Sequence, residues 1–111
     1  MQTTQSFAYP GAALSISSNG KKHGILWAVE ISTAATHPPA ILHAYDAMDL
    51  HRELYRSDSP GGRDQLDTGV KFASPVVAGG KVYVSGQSSV TVLGLFKQNF
   101  WSWIRSTFDF R

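Results

Sequence analysis

Gly24-Ile25-Leu26-Trp27-Ala28-Val29-Glu30-Ile31 is the stretch whose pattern decides the fold. Successive side chains of an extended chain point to opposite sides. Ile25, Trp27, Val29 and Ile31 therefore share one face, and Leu26, Ala28 and Glu30 share the other. Both faces are mostly apolar, which predicts a strand inside a sheet covered on both sides by neighbouring sheets, with Trp27 buried between them. Upstream, Leu14 and Ile16 alternate with serines in a short strand within residues 7–17, and Asn19-Gly20 suits the turn because both residues tolerate positive φ. Downstream, residues 32–39 with Pro38-Pro39 form a loop. Residues 40–46 then read as a third strand, residues 47–51 as a turn and residues 52–56 as a fourth strand.

Residues 57–69, with Pro60-Gly61-Gly62, make a polar connection, after which a second series begins. Residues 71–78 read as a strand, Gly79-Gly80 as a hairpin turn, residues 81–85 as the return strand and residues 89–93 as a third. Phe7-Ala8-Tyr9-Pro10 aligns with Phe72-Ala73-Ser74-Pro75, Ile25 to Trp27 with Val82 to Val84, and Ile41 to His43 with Val90 to Val92. The repeat is roughly 65 residues long, and repeats of short strands point to a propeller or solenoid. Pro10 and Pro75 lack the N–H a ladder needs, so each belongs at an edge or strand end.

The chain has 111 residues, 42% of them apolar and 16% charged, which suits one small packed domain. Its formal net charge is +2, and of its ten Lys and Arg residues only Lys21 and Lys22 are adjacent, so there is no basic stripe for nucleic acid. With no cysteine there is no disulfide, thiolate metal site or cysteine nucleophile. No apolar run approaches the roughly 18 residues of a membrane-spanning helix. Residues 1–6 are polar and lack the pattern of a signal peptide.

Ala44-Tyr45-Asp46-Ala47 followed by Arg52-Glu53-Leu54-Tyr55 resembles the blade signature of pyrroloquinoline-quinone-repeat, quinoprotein-like β-propellers, in which an Ala-x-Asp turn leads to Thr-Gly and then Trp. Gly80-Lys81-Val82-Tyr83-Val84-Ser85-Gly86 is similar to the strand pair that precedes it. The resemblance covers about residues 5–95. It implies an all-β partial propeller, about two antiparallel blades packed face to face, with blades at about residues 7–56 and 71–95 and an aromatic tail at 96–111. Members of that family are often bacterial and exported, and they range from quinone-dependent dehydrogenases to non-catalytic scaffolds. Asp49-Leu50 stands where Thr-Gly is expected, and Tyr55 replaces the Trp that docks on the neighbouring blade. Trp27, Ala44, Asp46, Tyr55, Pro75, Gly79 and Gly80 are the structural signature residues of this reading.

No catalytic, cofactor-binding or metal-binding set emerges. Asp46 reads as a turn residue that bonds the backbone two residues on. His43 shares a face with Ile41 and Tyr45 and reads as a packed or rim histidine. His37, His43 and His51 match no zinc spacing, and Asp58, Asp64 and Asp67 lack the alternation of a calcium loop, reading instead as solvated loop acids. Gly61-Gly62 and Gly79-Gly80 open no phosphate-binding helix. In the tail, Phe96, Phe100, Trp103 or Ile104, and Phe108 recur at near-helical spacing. That pattern allows an interfacial helix on a membrane, packing on the sheet as a short helix or as an outer strand in the fourth-strand place, or a sequence foreign to the fold; packing is the favoured reading.

The expectation is a non-catalytic propeller segment with a structural or recognition role and no cofactor. Its partners would be missing blades of a parent propeller or further copies of itself. The alternative is the C-terminal part of a quinone-dependent dehydrogenase whose active site lies in missing blades.

Overall fold

The computed structural model describes residues 2–4, 6–7, 11–19, 22–31, 36–58, 64–71, 73–96 and 99–109. Its fold is all-β, with two antiparallel four-stranded sheets packed face to face like blades of a partial β-propeller. The first sheet is an up-and-down meander of β1 (Ala12–Asn19), β2 (Lys22–Ile31), β3 (Ala40–Asp46) and β4 (Asp49–Arg56). The second repeats that order with β5 (Val76–Ala78), β6 (Lys81–Ser85), β7 (Ser89–Phe96) and β8 (Asn99–Asp109).

The alternation read in the sequence sets the faces. Trp27 lies opposite Ala44 and Val29 opposite Leu42. With Ile25 and Ala40 these side chains form one buried cluster with Val82, Val84 and Leu93 of the second sheet and Leu66 of the connection. Trp27 is 2% exposed and donates its indole N–H to Ser17 Oγ at 2.8 Å. Gly79 and Gly80 both take positive φ, 58° and 74°, as the two-residue turn between Ala78 and Lys81 requires.

The order and direction of the strands define how the sheets are related. The connection crosses one end of both: Thr68 bridges Pro39 and Gly69 bridges Gly86. Ala40 N–H donates to Asp67 O at 2.9 Å and Gln87 N–H to Thr68 O at 2.9 Å. That same end holds the start of β1, where Ala12 faces Glu30, and the start of β5, where Val76 faces Tyr83. Both first strands therefore set off in the same direction, and β1 lies beside β5. Two sheets with parallel first strands and a shared inner edge are related by rotation about an axis along the strands, so unlike faces meet. Gly69 passes so close to Ile31 that a Cβ would stand 2.7 Å from its Cγ1, which is why the crossing needs glycine there.

Several sequence expectations change. The turn after β3 is only Ala47-Met48, and β4 begins at Asp49 rather than at residue 52. The strand expected over residues 71–78 is confined to Val76–Ala78, because Pro75, buried and without an N–H, stands immediately before it. The near-helical spacing of the tail does not produce a helix. Of its two packing forms the outer strand is the one that holds: residues 103–109 continue the second sheet as β8, pairing with residues 95–89 of β7, which adds a fourth strand to the three read in the second series. A free β7 edge offers that segment a ladder partner, which helical periodicity alone cannot outweigh. The repeat alignment also slips. Ile25 pairs with Asp46 and Val82 with Leu93, so aligning β3 with β7 as the sequence suggested displaces β2 against β6 by two residues. Pro10, Phe72, Gly61 and Gly62 lie outside the described residues.

Candidate functional site

The face of the first sheet that points away from the second carries the densest polar chemistry. Alternation along β2 and β3 places Glu30, His43 and Tyr45 on this side, and β4 adds Glu53 opposite Tyr45 and Arg56 opposite His43. His43 is 0% exposed, and Nε2 lies 2.7 Å from Glu30 Oε2 while Nδ1 lies 3.1 Å from Glu53 Oε2. Both ring nitrogens therefore lie within hydrogen-bond reach of a carboxylate.

The chain of charges continues outward. Glu53 Oε1 is 3.7 Å from Arg56 Nη1, and Arg56 grips Asp58 through Nε at 2.6 Å and Nη2 at 2.9 Å. The Asp58 bond raises the Arg56 guanidinium further above its ordinary range, and the Arg56 bond holds Asp58 below the usual carboxylate range against the opposing effect of burial. Tyr45 stacks on His43 with ring centres 5.9 Å apart. Its hydroxyl is buried with no hydrogen-bond partner among the described residues, and burial, then the nearby Glu53 carboxylate, push it above the ordinary phenol range. Phe7, from the N-terminal segment, packs edge-on against His43 with ring centres 5.3 Å apart and helps cover it.

This arrangement locks three strands in register, because β2, β3 and β4 each contribute one member. The fully covered imidazole has no substrate-accessible surface of its own. A cleft of about 390 Å³ lies at the connection end, lined by Pro39, Ala40, Ile41, Ser57, Asp58, Gln65 and Leu66. Within it the Ser57 hydroxyl oxygen is already engaged, accepting the Leu42 N–H at 2.9 Å.

The other candidates separate. Asp46 Oδ1 accepts the Met48 N–H at 2.9 Å, as a turn aspartate does. His37 has a φ of 54°, His51 lies 3.8 Å from Asp49, and the described residues contain no cluster of three metal-ligating groups. The three acids of the connection also part company, and two are not the solvated loop acids expected. Asp64 is buried and accepts the Tyr55 hydroxyl at 2.8 Å. Asp67 Oδ2 accepts the Ser88 N–H at 2.8 Å and the Ser88 and Ser89 hydroxyls at 3.2 and 3.1 Å, while Oδ1 accepts the Thr68 N–H at 2.8 Å. The Ser88 backbone bond leads in holding Asp67 below the usual carboxylate range.

Sequence reasoning did not find the Glu30–His43–Glu53 set. The signal was present: polar residues at strand positions whose flanking apolar residues mark them as covered. The pairing depends on strand register, which the sequence does not state. Compared with protein-family models, with curated proteins and with solved structures, the chain matches none.

Proposed function

We propose that the two sheets are neighbouring blades of a quinoprotein-like propeller and that the chain serves as a non-catalytic scaffold, with a structural and recognition role. One observation carries the reading: β1 and β5 start from the same end at a shared inner edge, and the chain returns from the outer strand β4 to the inner strand β5. Propellers repeat that step from blade to blade. Tyr55 supports it further. It stands in the place of the blade-docking Trp, packs against the inter-sheet cluster and reaches the connection through Asp64.

In this reading the outer face of the first sheet is a surface for a further blade. Its exposed Leu14 and Ile16, the latter 71% exposed, lie on that side of β1, opposite Ala28 and Leu26. Further blades of a parent propeller or the outer face of another copy would cover them. Sedimentation velocity over a concentration series tests this. Leu14→Lys with Ile16→Lys is expected to remove the assembly held by this face without changing the far-ultraviolet spectrum, and identical sedimentation of variant and parent would refute that surface. Pyrroloquinoline quinone with calcium is expected to leave the thermal midpoint unmoved, since a ligand that binds the folded state must raise it. A rise would favour a quinone enzyme.

A further inference from the structure

We infer that β8 pairs antiparallel with β8 of a second copy, in a register centred on Ile104. β8 is the last strand of its sheet, with β7 on one side and, among the described residues, no strand on the other. It is also the longest strand, 11 residues, and residues 103–109 form an unbroken ladder with β7; the shift at Leu95/Phe96 confines the irregularity to the hairpin end. Such an edge presents a row of backbone donors and acceptors ready to accept another strand.

The sequence of β8 specifies which strand. Phe100-Trp101-Ser102-Trp103-Ile104-Arg105-Ser106-Thr107-Phe108 is close to a palindrome about Ile104. In an antiparallel pair centred there, Ile104 meets itself, Ser102 lies opposite Ser106, Phe100 opposite Phe108, and Trp103 opposite Arg105 of the second copy. Aromatic pairs, hydroxyl pairs and a cation opposite an indole are all favourable cross-strand neighbours. Moving the centre to Arg105 would set like charges opposite each other, and moving it between the two residues would set Phe100 opposite Asp109. A two-fold pair buries the same edge of both chains, so this contact closes as a dimer and leaves no free β8 edge to propagate it. This interaction is separate from the outer face of the first sheet, and Leu14→Lys with Ile16→Lys leaves it intact.

Sedimentation equilibrium of the full chain carrying Leu14→Lys and Ile16→Lys, which remove the assembly of the first sheet's outer face, is expected to show a dimer. Ile104→Lys and Ile104→Glu each put like charges at the two-fold centre and are expected to weaken the dimer by at least about tenfold. An equal mixture of the two variants is expected to restore it as a one-to-one heterodimer. The chain has no cysteine, so Ile104→Cys introduces a single thiol. On mild oxidation that variant is expected to form a covalent dimer alone, while Ser102→Cys does so only when mixed with Ser106→Cys. Circular dichroism establishes that each variant retains its sheets. A parent that stays monomeric at high micromolar concentration overturns the inference, as does a dimer indifferent to either charge at residue 104. Charge variants that fail to rescue each other on mixing overturn the register, and with it the pairing.

Discussion

Trp27→Ala tests the packing of the two sheets at its centre. The indole is 2% exposed, faces Ala44 and lies in the cluster with Val82, Val84 and Leu93. Truncating a buried Trp removes apolar burial and leaves a cavity, at about 3–5 kcal/mol. The bond to Ser17 Oγ adds about 1 kcal/mol, discounted because Ser17 is only half-buried and water can replace the lost partner. A domain of this size has a total stability of about 5–15 kcal/mol, so the loss is a large share of it. The expected fall in thermal midpoint is roughly 10–25 °C. Urea unfolding followed by far-ultraviolet circular dichroism is the suitable assay, because Trp101 and Trp103 would confuse a fluorescence signal. Trp27→Phe separates the two contributions: it keeps most of the burial and loses the N–H, at about 1–2 kcal/mol. If Trp27→Ala unfolded at the parent's urea concentration, the sheets would not be packed through this face.

Other perturbations probe the tie points. Asp67 is held below the usual carboxylate range by Ser88, Thr68 and Ser89, so the stability it contributes is present above the ordinary aspartate range and is lost as the pH falls through its folded value. Asp67→Ala is expected to destabilise the chain by about 2–3 kcal/mol at neutral pH and to flatten the acid limb of the stability–pH curve. An unchanged acid limb would show that the carboxylate does not hold the connection. His43→Leu leaves Glu30 and Glu53 facing an apolar side chain and is expected to cost about 3 kcal/mol, measured by urea titration; a neutral outcome would mean that the carboxylates swing to water freely. Gly86→Ala would set a Cβ 2.5 Å from the Cβ of Asp67, and a loss of about 1–3 kcal/mol is expected. A thermal midpoint matching the parent's would mean that this crossing is looser than described.

The β character, Trp27 at the centre of the core and the Gly79-Gly80 hairpin were legible in the sequence because each rests on a local rule. Alternation with period two assigns faces, and paired glycines permit the positive φ of a tight turn. The Asp46 turn belongs to the same class, since its bond reaches only two residues along the chain. The tail shows where local rules stop. Phe96, Phe100 and Phe108 are spaced well enough for a helix, and the strand emerges only because β7 supplies hydrogen-bond partners along residues 89–95.

Tertiary structure alone decided the rest. Glu30, His43 and Glu53 lie on three different strands, and a one-residue change of register would turn any one of them to the other face. Asp64 and Asp67 sit in what reads as a polar loop, and they become anchors because the connection is drawn between the start of β3 and the end of β6. The parallel course of β1 and β5 is likewise not written in either strand. It follows from where the connection crosses, a property of the packed chain rather than of any segment of it.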